Sequence, residues 1–203
     1  MKIIGLTGPS GAGKGALAAQ LAARGLPVID ADCVYRDLLV PPSPCLAALV
    51  EVFGKQILAA DGTLDRTALA ALVFSDDASA AARRATLNRI THQFVTEKTN
   101  ELLSSYKTDG CKAAVIDAPL LIEADMHKSC DMVVAVLADR ETRLGRLLAR
   151  EGKSREALSA RIDAQPDDDF YRSHADVVVL NNCNEAHLQD EAAAILARLG
   201  LSL

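Results

Sequence analysis

The 203-residue sequence can form one domain with a substantial core, because half of its residues are hydrophobic. That core must be mainly aliphatic, since aromatic residues make up only 3% of the chain. A formal net charge of -5 argues against a general nucleic-acid-binding protein, which would present a basic surface.

Short apolar segments alternate with longer helical patterns, which is typical of a parallel sheet covered by helices. The predicted strands, in chain order, are KIIGLT, PVIDA, AAVIDAP, DMVVAVLA and DVVVL. A helix that ends near Gly25 is predicted after the first strand, and an amphipathic helix over residues 185–199. The pattern predicts an α/β fold, a three-layer sandwich around a five-stranded parallel sheet.

Two long helical stretches interrupt this alternation. The first, about residues 41–110, is far longer than a crossover requires and predicts a helical insertion that binds a second substrate. The second, about residues 139–174, is charged, mainly helical and broken at Pro166. The nucleotide-binding core of a single domain would then comprise about residues 1–40, 111–138 and 175–203.

The sequence GPSGAGKG lies between the first strand and the first helix, as a phosphate-binding loop (P-loop) requires. Backbone N–H groups of such a loop surround an anion, and the helix N-terminus adds a favourable dipole. We therefore expect ATP to bind here, with Lys14 reaching the β- and γ-phosphates. The alternative is a glycine-rich turn that binds nothing. The predicted ATP-binding residues of the loop are Gly8, Pro9, Ser10, Gly11, Ala12, Gly13, Lys14, Gly15 and Ala16.

Position 15 departs from the P-loop pattern. Gly15 stands where a Ser or Thr hydroxyl usually coordinates Mg²⁺. Water can fill that position, because Mg²⁺ normally keeps several waters. We predict that nucleotide binding is retained and that Mg²⁺ is bound more weakly.

Carboxylates follow the second and third predicted strands, at the edge where open parallel sheets bind ligands. Asp32 is either an acid at the start of the next helix or a base that orients an acceptor hydroxyl for attack on a γ-phosphate. Asp117 is either a turn residue or a group that orients the water ligands of Mg²⁺.

The segments GLTGPSGAGKG, GLPVIDAD, FGKQIL with DGTLDR, and DAPLLIE occur in this order and resemble the dephospho-coenzyme A kinase family. The resemblance extends over nearly the whole chain, and the combination is much more specific than a P-loop alone. It implies ATP-dependent phosphorylation of the ribose 3′-hydroxyl of dephospho-CoA, the last step of coenzyme A synthesis, with Mg²⁺. It also implies that Asp32 is the general base.

The resemblance places the acceptor in the insertion and beside the third strand. Arg66, in DGTLDR, would hold an acceptor phosphate, or would lie on a solvated helix. His92 matches a family position, although Gln93 replaces the proline that follows it in the family. The remaining acceptor residues would be Pro119, Leu120 and Glu123, from DAPLLIE.

Four arginines in the second stretch, Arg140, Arg143, Arg146 and Arg150, form a basic stripe at helical spacing. Such a stripe is usually solvated, but phosphoryl transfer needs cations that a closing element can supply. The resemblance makes this stretch a lid, in which Arg146 and Arg150 contact ATP and Arg146 is catalytic together with Lys14 and Asp32. It matches Arg161 and Gln165 to the end of the lid.

The last strand ends with Asn181 and Asn182, where the family binds adenine, and Asn182 is the predicted ATP contact. A turn is the alternative, to which asparagine is well suited. Asp167, Asp168 and Asp169 have no functional interpretation and are expected to form a solvated turn.

Five scattered cysteines form no C-x-x-C pair, so reduced thiols are expected rather than disulfides or a zinc site. The first residues lack the features of a secretory signal, and no apolar run approaches the roughly 20 residues of a membrane span. We therefore predict a cytoplasmic protein with no membrane partner. We expect a monomer or small homo-oligomer.

Two other functions are considered. One is a nucleoside- or nucleotide-type small-molecule kinase, against which DGTLDR argues. The other is a nucleotide-binding regulator with weakened catalysis. Gly15 is the only residue that supports a regulator, whereas Lys14, Asp32 and Arg146 argue against one. ATP and dephospho-CoA are therefore the expected partners.

Overall fold

The computed structural model of the chain describes residues 1–182 and 185–201. Five strands form a parallel sheet in the order β2-β3-β1-β4-β5. Their bounds are β1 Lys2–Thr7, β2 Val28–Asp30, β3 Ala113–Asp117, β4 Met132–Leu137 and β5 Val177–Leu180. Every strand predicted from the sequence is present, and the α/β prediction is confirmed.

Both faces of the sheet are buried, which is why its strands are continuously apolar. All six residues of β4 are buried, and alternate residues face opposite sides. Val134 and Val136 pack in a core with residues of α1 (Lys14–Ala22) and α9 (Glu185–Arg198). Ala135 and Leu137 pack with residues of α8 (Asp168–His174). Helices therefore cover both faces, as in the predicted three-layer sandwich.

The chain divides into two compact units, residues 1–30 with 102–203 and residues 31–101. The smaller unit has its own apolar core, which includes Leu49, Ile57 and Leu69. The acceptor-binding role of residues 41–110 stays a prediction. Helical elements that begin in the smaller unit are α2 Ala31–Asp37, α3 Pro44–Phe53, a short 3-10 helix Lys55–Ile57, α4 Arg66–Val73 and α5 Ala80–Thr108, which ends in the larger unit.

The charged stretch folds into α6 (Arg140–Glu151), α7 (Arg155–Asp163) and α8. Asp167 is the N-cap of α8, because its carboxylate accepts a hydrogen bond from the Phe170 N–H at 2.9 Å. The next two acids, Asp168 and Asp169, occupy the first turn, where negative charge complements the helix dipole. These acids are exposed as expected, but the expectation of a turn was wrong because they start a helix.

Within residues 1–182 and 185–201, no helix combines the length and hydrophobicity needed to cross a membrane.

Candidate active site

The P-loop connects β1 to α1 through backbone that only glycine adopts easily. Gly13 has φ of 100° and is the N-cap of α1. A Cβ atom at this position would lie 2.1 Å from Nδ2 of Asn181, so a side chain is excluded on both grounds. The N-terminus of α1 thus directs backbone N–H groups toward the loop, the arrangement that binds phosphate.

The two predicted catalytic cations meet at this loop. The Lys14 ammonium donates a hydrogen bond to the Gly8 carbonyl at 3.1 Å. The Arg146 guanidinium, from α6, donates to the carbonyls of Gly11 at 3.3 Å and Ala12 at 3.2 Å. Positive charge from two parts of the chain is therefore held against the backbone expected to receive phosphates.

The two asparagines that follow β5 hold the P-loop and the start of α6. Asn181 is buried, and its Nδ2 donates to the Ala12 carbonyl at 2.8 Å. Its Oδ1 accepts a long hydrogen bond from Arg146, at 3.5 Å. The side-chain oxygen of Asn182 accepts from the Asp139 N–H at 2.8 Å, and the contact of Asn182 with ATP stays a prediction.

Arg143 is a further candidate for a functional role. Its spacing in the sequence indicated only that it belongs to the basic stripe. Its side chain is buried, and Nε donates to the Ser10 carbonyl at 3.0 Å. Burial lowers the pKa of this guanidinium below its ordinary value. The pattern did contain a clue, because Arg143 precedes Leu144 and lies one turn before Leu147, both of which face the core.

Glu151 gathers basic side chains at the end of α6. Its two carboxylate oxygens accept from Arg150 at 2.6 Å and Arg161 at 2.7 Å, and Lys153 lies 3.6 Å away. The hydrogen bond from Arg150 is the largest cause that lowers the pKa of Glu151 to about 2. Arg161 also donates to the Ser10 hydroxyl at 3.0 Å, which connects this cluster to the P-loop. The contact of Arg150 with ATP stays a prediction.

Asp117 ends β3 beside the strand that leads into the P-loop. Its register partner on β1 is Leu6, and the Ala118 N–H donates to the Leu6 carbonyl at 3.1 Å. Among the residues that the structure describes, no group of three or more His, Cys, Asp or Glu side chains could hold a metal. The single carboxylate of Asp117 at this strand end is an oxygen ligand of the type that a hard cation such as Mg²⁺ prefers.

The segment after β3 carries the predicted acceptor residues of the larger unit, of which Pro119 is half-buried. The Pro119 carbonyl accepts a hydrogen bond from the Thr7 hydroxyl at 3.4 Å, which fixes this turn to the end of β1. Leu120 is 47% exposed, and Glu123 is also exposed. Burial, and secondly the charge of Glu123, raises the pKa of Tyr171 to about 12.

Comparison with known proteins identifies the family. Residues 2–187 match the family model described as dephospho-CoA kinase. The dephospho-CoA kinase of Corynebacterium glutamicum is 40% identical over 196 residues, which cover 97% of this chain and 96% of that protein. The chain belongs to the dephospho-CoA kinase family. The resemblance noted in the sequence is confirmed, and neither the nucleoside-type kinase nor the regulator is favoured.

Solved structures share the fold of this chain. The crystal structure of TT1252 from Thermus thermophilus has a TM-score of 0.81 and 33% identity, covering 98% of this chain and 97% of that one. The dephospho-CoA kinase from Campylobacter jejuni has a TM-score of 0.70 and 23% identity, covering 98% of each chain. A shikimate kinase from Acinetobacter baumannii, with a TM-score of 0.51, 16% identity and coverage of 98% and 93%, shares the fold.

The other predicted residues of this family member lie in the smaller unit. Asp32 occupies the first turn of α2 and is exposed, two residues beyond the end of β2. Arg66 is the first residue of α4. Burial raises the pKa of the Tyr35 hydroxyl, and the positive charge of Arg66 acts in the opposite direction. His92 is half-buried on α5. The roles of Asp32, Arg66 and His92 stay predictions.

Replacement Glu151→Gln tests the basic cluster through its pH dependence. The pKa of Glu151 lies at about 2 in the fold, below its ordinary value of 4.5, so the carboxylate stabilises the folded state fully above pH 4.5. That contribution disappears as the pH falls through about 2. In urea unfolding at neutral pH, the wild-type protein should therefore have a larger free energy of unfolding than Glu151→Gln. This difference should shrink as the pH falls from about 4.5 to about 2.

Glu141→Gln is the matched control, because Glu141 lies on the same helix and pairs with Arg155 at 2.9 Å, but its side chain is 70% exposed. Exposed pairs contribute about 0–1 kcal/mol, so we expect little change at any pH. An equal loss of unfolding free energy in both variants, or no loss in Glu151→Gln, would contradict the stabilising role of Glu151.

Proposed function

We propose that this chain transfers the γ-phosphoryl group of ATP to the ribose 3′-hydroxyl of dephospho-CoA, giving coenzyme A and ADP. The convergence of Lys14 and Arg146 on the P-loop carries the proposal, in a chain of the dephospho-CoA kinase family. P-loop kinases bind the β- and γ-phosphates at this position. The predicted cytoplasmic location and the monomeric or small homo-oligomeric state remain parts of this proposal.

Lys14 and Arg146 would stabilise the negative charge of the transferring group. When ATP binds, each cation would exchange a contact with a loop carbonyl for contacts with phosphate oxygens. Asn181 also bonds the Ala12 carbonyl, so the loop keeps a support when Arg146 moves to the phosphates. Arg150 and Asn182 would complete the ATP site on the lid and adenine sides.

Asp32 would accept the proton of the 3′-hydroxyl as that oxygen attacks the γ-phosphate. Its position just after a strand of the parallel sheet, at an exposed helix start, supports this role. Dephospho-CoA would bind along the predicted insertion, about residues 41–110, and the lid would comprise about residues 139–174. The acceptor contacts in this proposal are Arg66, His92, Pro119, Leu120 and Glu123, together with Asp32.

Mg²⁺ bound with ATP would supply positive charge that neutralises the phosphates during transfer. Asp117 would orient water molecules of its coordination shell from the end of β3. Gly15 contributes no hydroxyl ligand, so phosphate and water would supply the ligands of the ion, with Asp117 acting through water.

A panel of acceptors tests the function. Purified protein should release ADP from ATP with dephospho-CoA, and much more slowly with adenosine or nucleoside monophosphates. Phosphorus NMR of the product should place the new phosphate on the ribose 3′-oxygen. Tight ATP binding without turnover of dephospho-CoA would support the regulator, and preference for a nucleoside monophosphate would support a nucleotide-type kinase.

Asp32→Asn tests the general base, since it removes the basic oxygen and keeps the shape of the side chain. We expect kcat to fall by about 10²–10⁴ while the Kd for ATP is unchanged. Asp37→Asn is the control, because Asp37 is an exposed carboxylate at the other end of α2. Retention of full activity in Asp32→Asn would show that the base is another group.

Gly15→Ser tests how Mg²⁺ is held. No neighbour lies within 4 Å of a Cβ atom built at Gly15, so serine fits without displacing other atoms. We expect the half-saturating Mg²⁺ concentration to fall about tenfold, as one added ligand contact would produce. Gly145→Ser, at an equally open position in α6, should leave it unchanged. The same Mg²⁺ requirement in wild type and Gly15→Ser would contradict the prediction.

A further inference from the structure

Ser10, in the P-loop, is held through all its polar groups by side chains from the predicted lid. Its N–H donates to Oε1 of Gln165 at 3.1 Å, and its carbonyl accepts from Nε of Arg143 at 3.0 Å. Its hydroxyl accepts from Arg161 at 3.0 Å and from Nε2 of Gln165 at 3.2 Å. Ser10 is therefore attached to α6, to α7 and to the residues just beyond α7.

The side chains that hold Ser10 also hold each other. Nη2 of Arg143 donates to Oε1 of Gln165 at 2.9 Å. Together with the bonds of both side chains to the Ser10 backbone, this contact closes a ring of hydrogen bonds. Arg143 is only 7% exposed, and a buried guanidinium is stable only where its N–H groups find acceptors. The planar fork of arginine reaches the Ser10 carbonyl and Gln165 together, which lysine cannot do.

The hydrogen bonds of the loop separate it into two parts. The Ser10 N–H is bonded to Gln165, and the Ala12 N–H is bonded to the Pro9 carbonyl at 3.2 Å. Both amides are thus used within the protein. Phosphate contact then falls to the part of the loop around Gly13 and to the N-terminus of α1, where Lys14 and Arg146 also lie.

We propose that Ser10 is the attachment point by which the lid sets the P-loop conformation, and that it is not itself a ligand of ATP. Arg143, Arg161 and Gln165 are positioning residues in this arrangement. They act on ATP through the loop backbone, so their loss should weaken recognition of the phosphates and leave recognition of adenosine intact. The proposal rests on the proposed function only in taking ATP as the nucleotide.

Gln165→Leu tests the positioning role of Gln165. Leucine has a similar volume, but it cannot accept the hydrogen bonds from the Ser10 N–H and from Arg143. Isothermal titration should show binding of ATP weakened about tenfold or more, since a hydrogen bond to a charged group is lost, and binding of adenosine changed less than about twofold. In steady-state assays KM for ATP should rise while KM for dephospho-CoA stays the same. Arg143→Lys should behave in the same way.

Arg140→Lys is the matched control. Arg140 lies on the same helix, three residues before Arg143, but its side chain is 46% exposed and pairs with Asp163 at 2.9 Å. Its replacement should leave the affinities for ATP and adenosine unchanged. A weakening of ATP binding equal to that of Arg143→Lys would show that replacing any arginine of the lid has this effect, and that the contact with Ser10 is not responsible.

If Gln165→Leu or Arg143→Lys fails to fold, Ser10→Ala still tests the proposal, because it removes only a hydroxyl group. We expect a smaller loss of ATP affinity, again without a change for adenosine. A loss confined to Ser10→Ala, with Gln165→Leu unaffected, would mean that Ser10 binds phosphate itself and would overturn the proposal.

A purely structural role would lower the thermal midpoint and the active fraction of Gln165→Leu without changing the ratio of ATP to adenosine affinity. That result would also overturn the proposal. These binding measurements need no acceptor, so they remain decisive even if the wild-type protein fails to phosphorylate dephospho-CoA.

Discussion

The rest of the site depends on the close approach of the P-loop backbone to the elements around it. At Gly8 a Cβ atom would lie 2.1 Å from the carbonyl oxygen of Val136 in β4, and at Gly13 it would lie 2.1 Å from the Asn181 amide. Side chains at these positions would force the loop away from the sheet. Because the loop fits so closely, Asn181 and Arg146 can bond its carbonyls directly, and the cations are in place near the N-terminus of α1.

Charge is distributed unevenly in this acidic protein. The chain carries a net charge of -5, yet Lys14, Arg143, Arg146 and Arg161 all contact the P-loop. The loop carbonyls and hydroxyl that accept from these cations offset their mutual repulsion before ATP binds. Phosphate oxygens are stronger acceptors than carbonyls, so a nucleotide can take over some of these contacts. The cations that would bind an anion are thus already held in place by hydrogen bonds to the loop.

The missing hydroxyl at position 15 illustrates how local a departure from a motif can be. The backbone of Gly15 forms the first turn of α1 in the ordinary way, and the space beside it is open. Gly15 therefore lacks only the side chain of the usual Ser or Thr, and the backbone at this position is helical. Asp117 ends the neighbouring strand regardless of residue 15, because its position follows from the β1–β3 register.

The sequence by itself determined the strands and the P-loop, because hydrophobic periodicity and glycine spacing are local properties. The family followed from the resemblance of four motifs in their order along the chain. Helical patterns in the charged stretch also predicted helices, but the acids at 167–169 suggested a turn. An acid acts as an N-cap only if the residues after it are helical, and the sequence around these acids did not show this. Only the tertiary structure decided the roles of Arg143 and Asn181. Arg143 meets Ser10 across 133 positions, and Asn181 meets Ala12 across 169, so no local pattern specifies either contact. Those contacts arise from the strand order, which places the end of β5 and the start of α6 beside the P-loop.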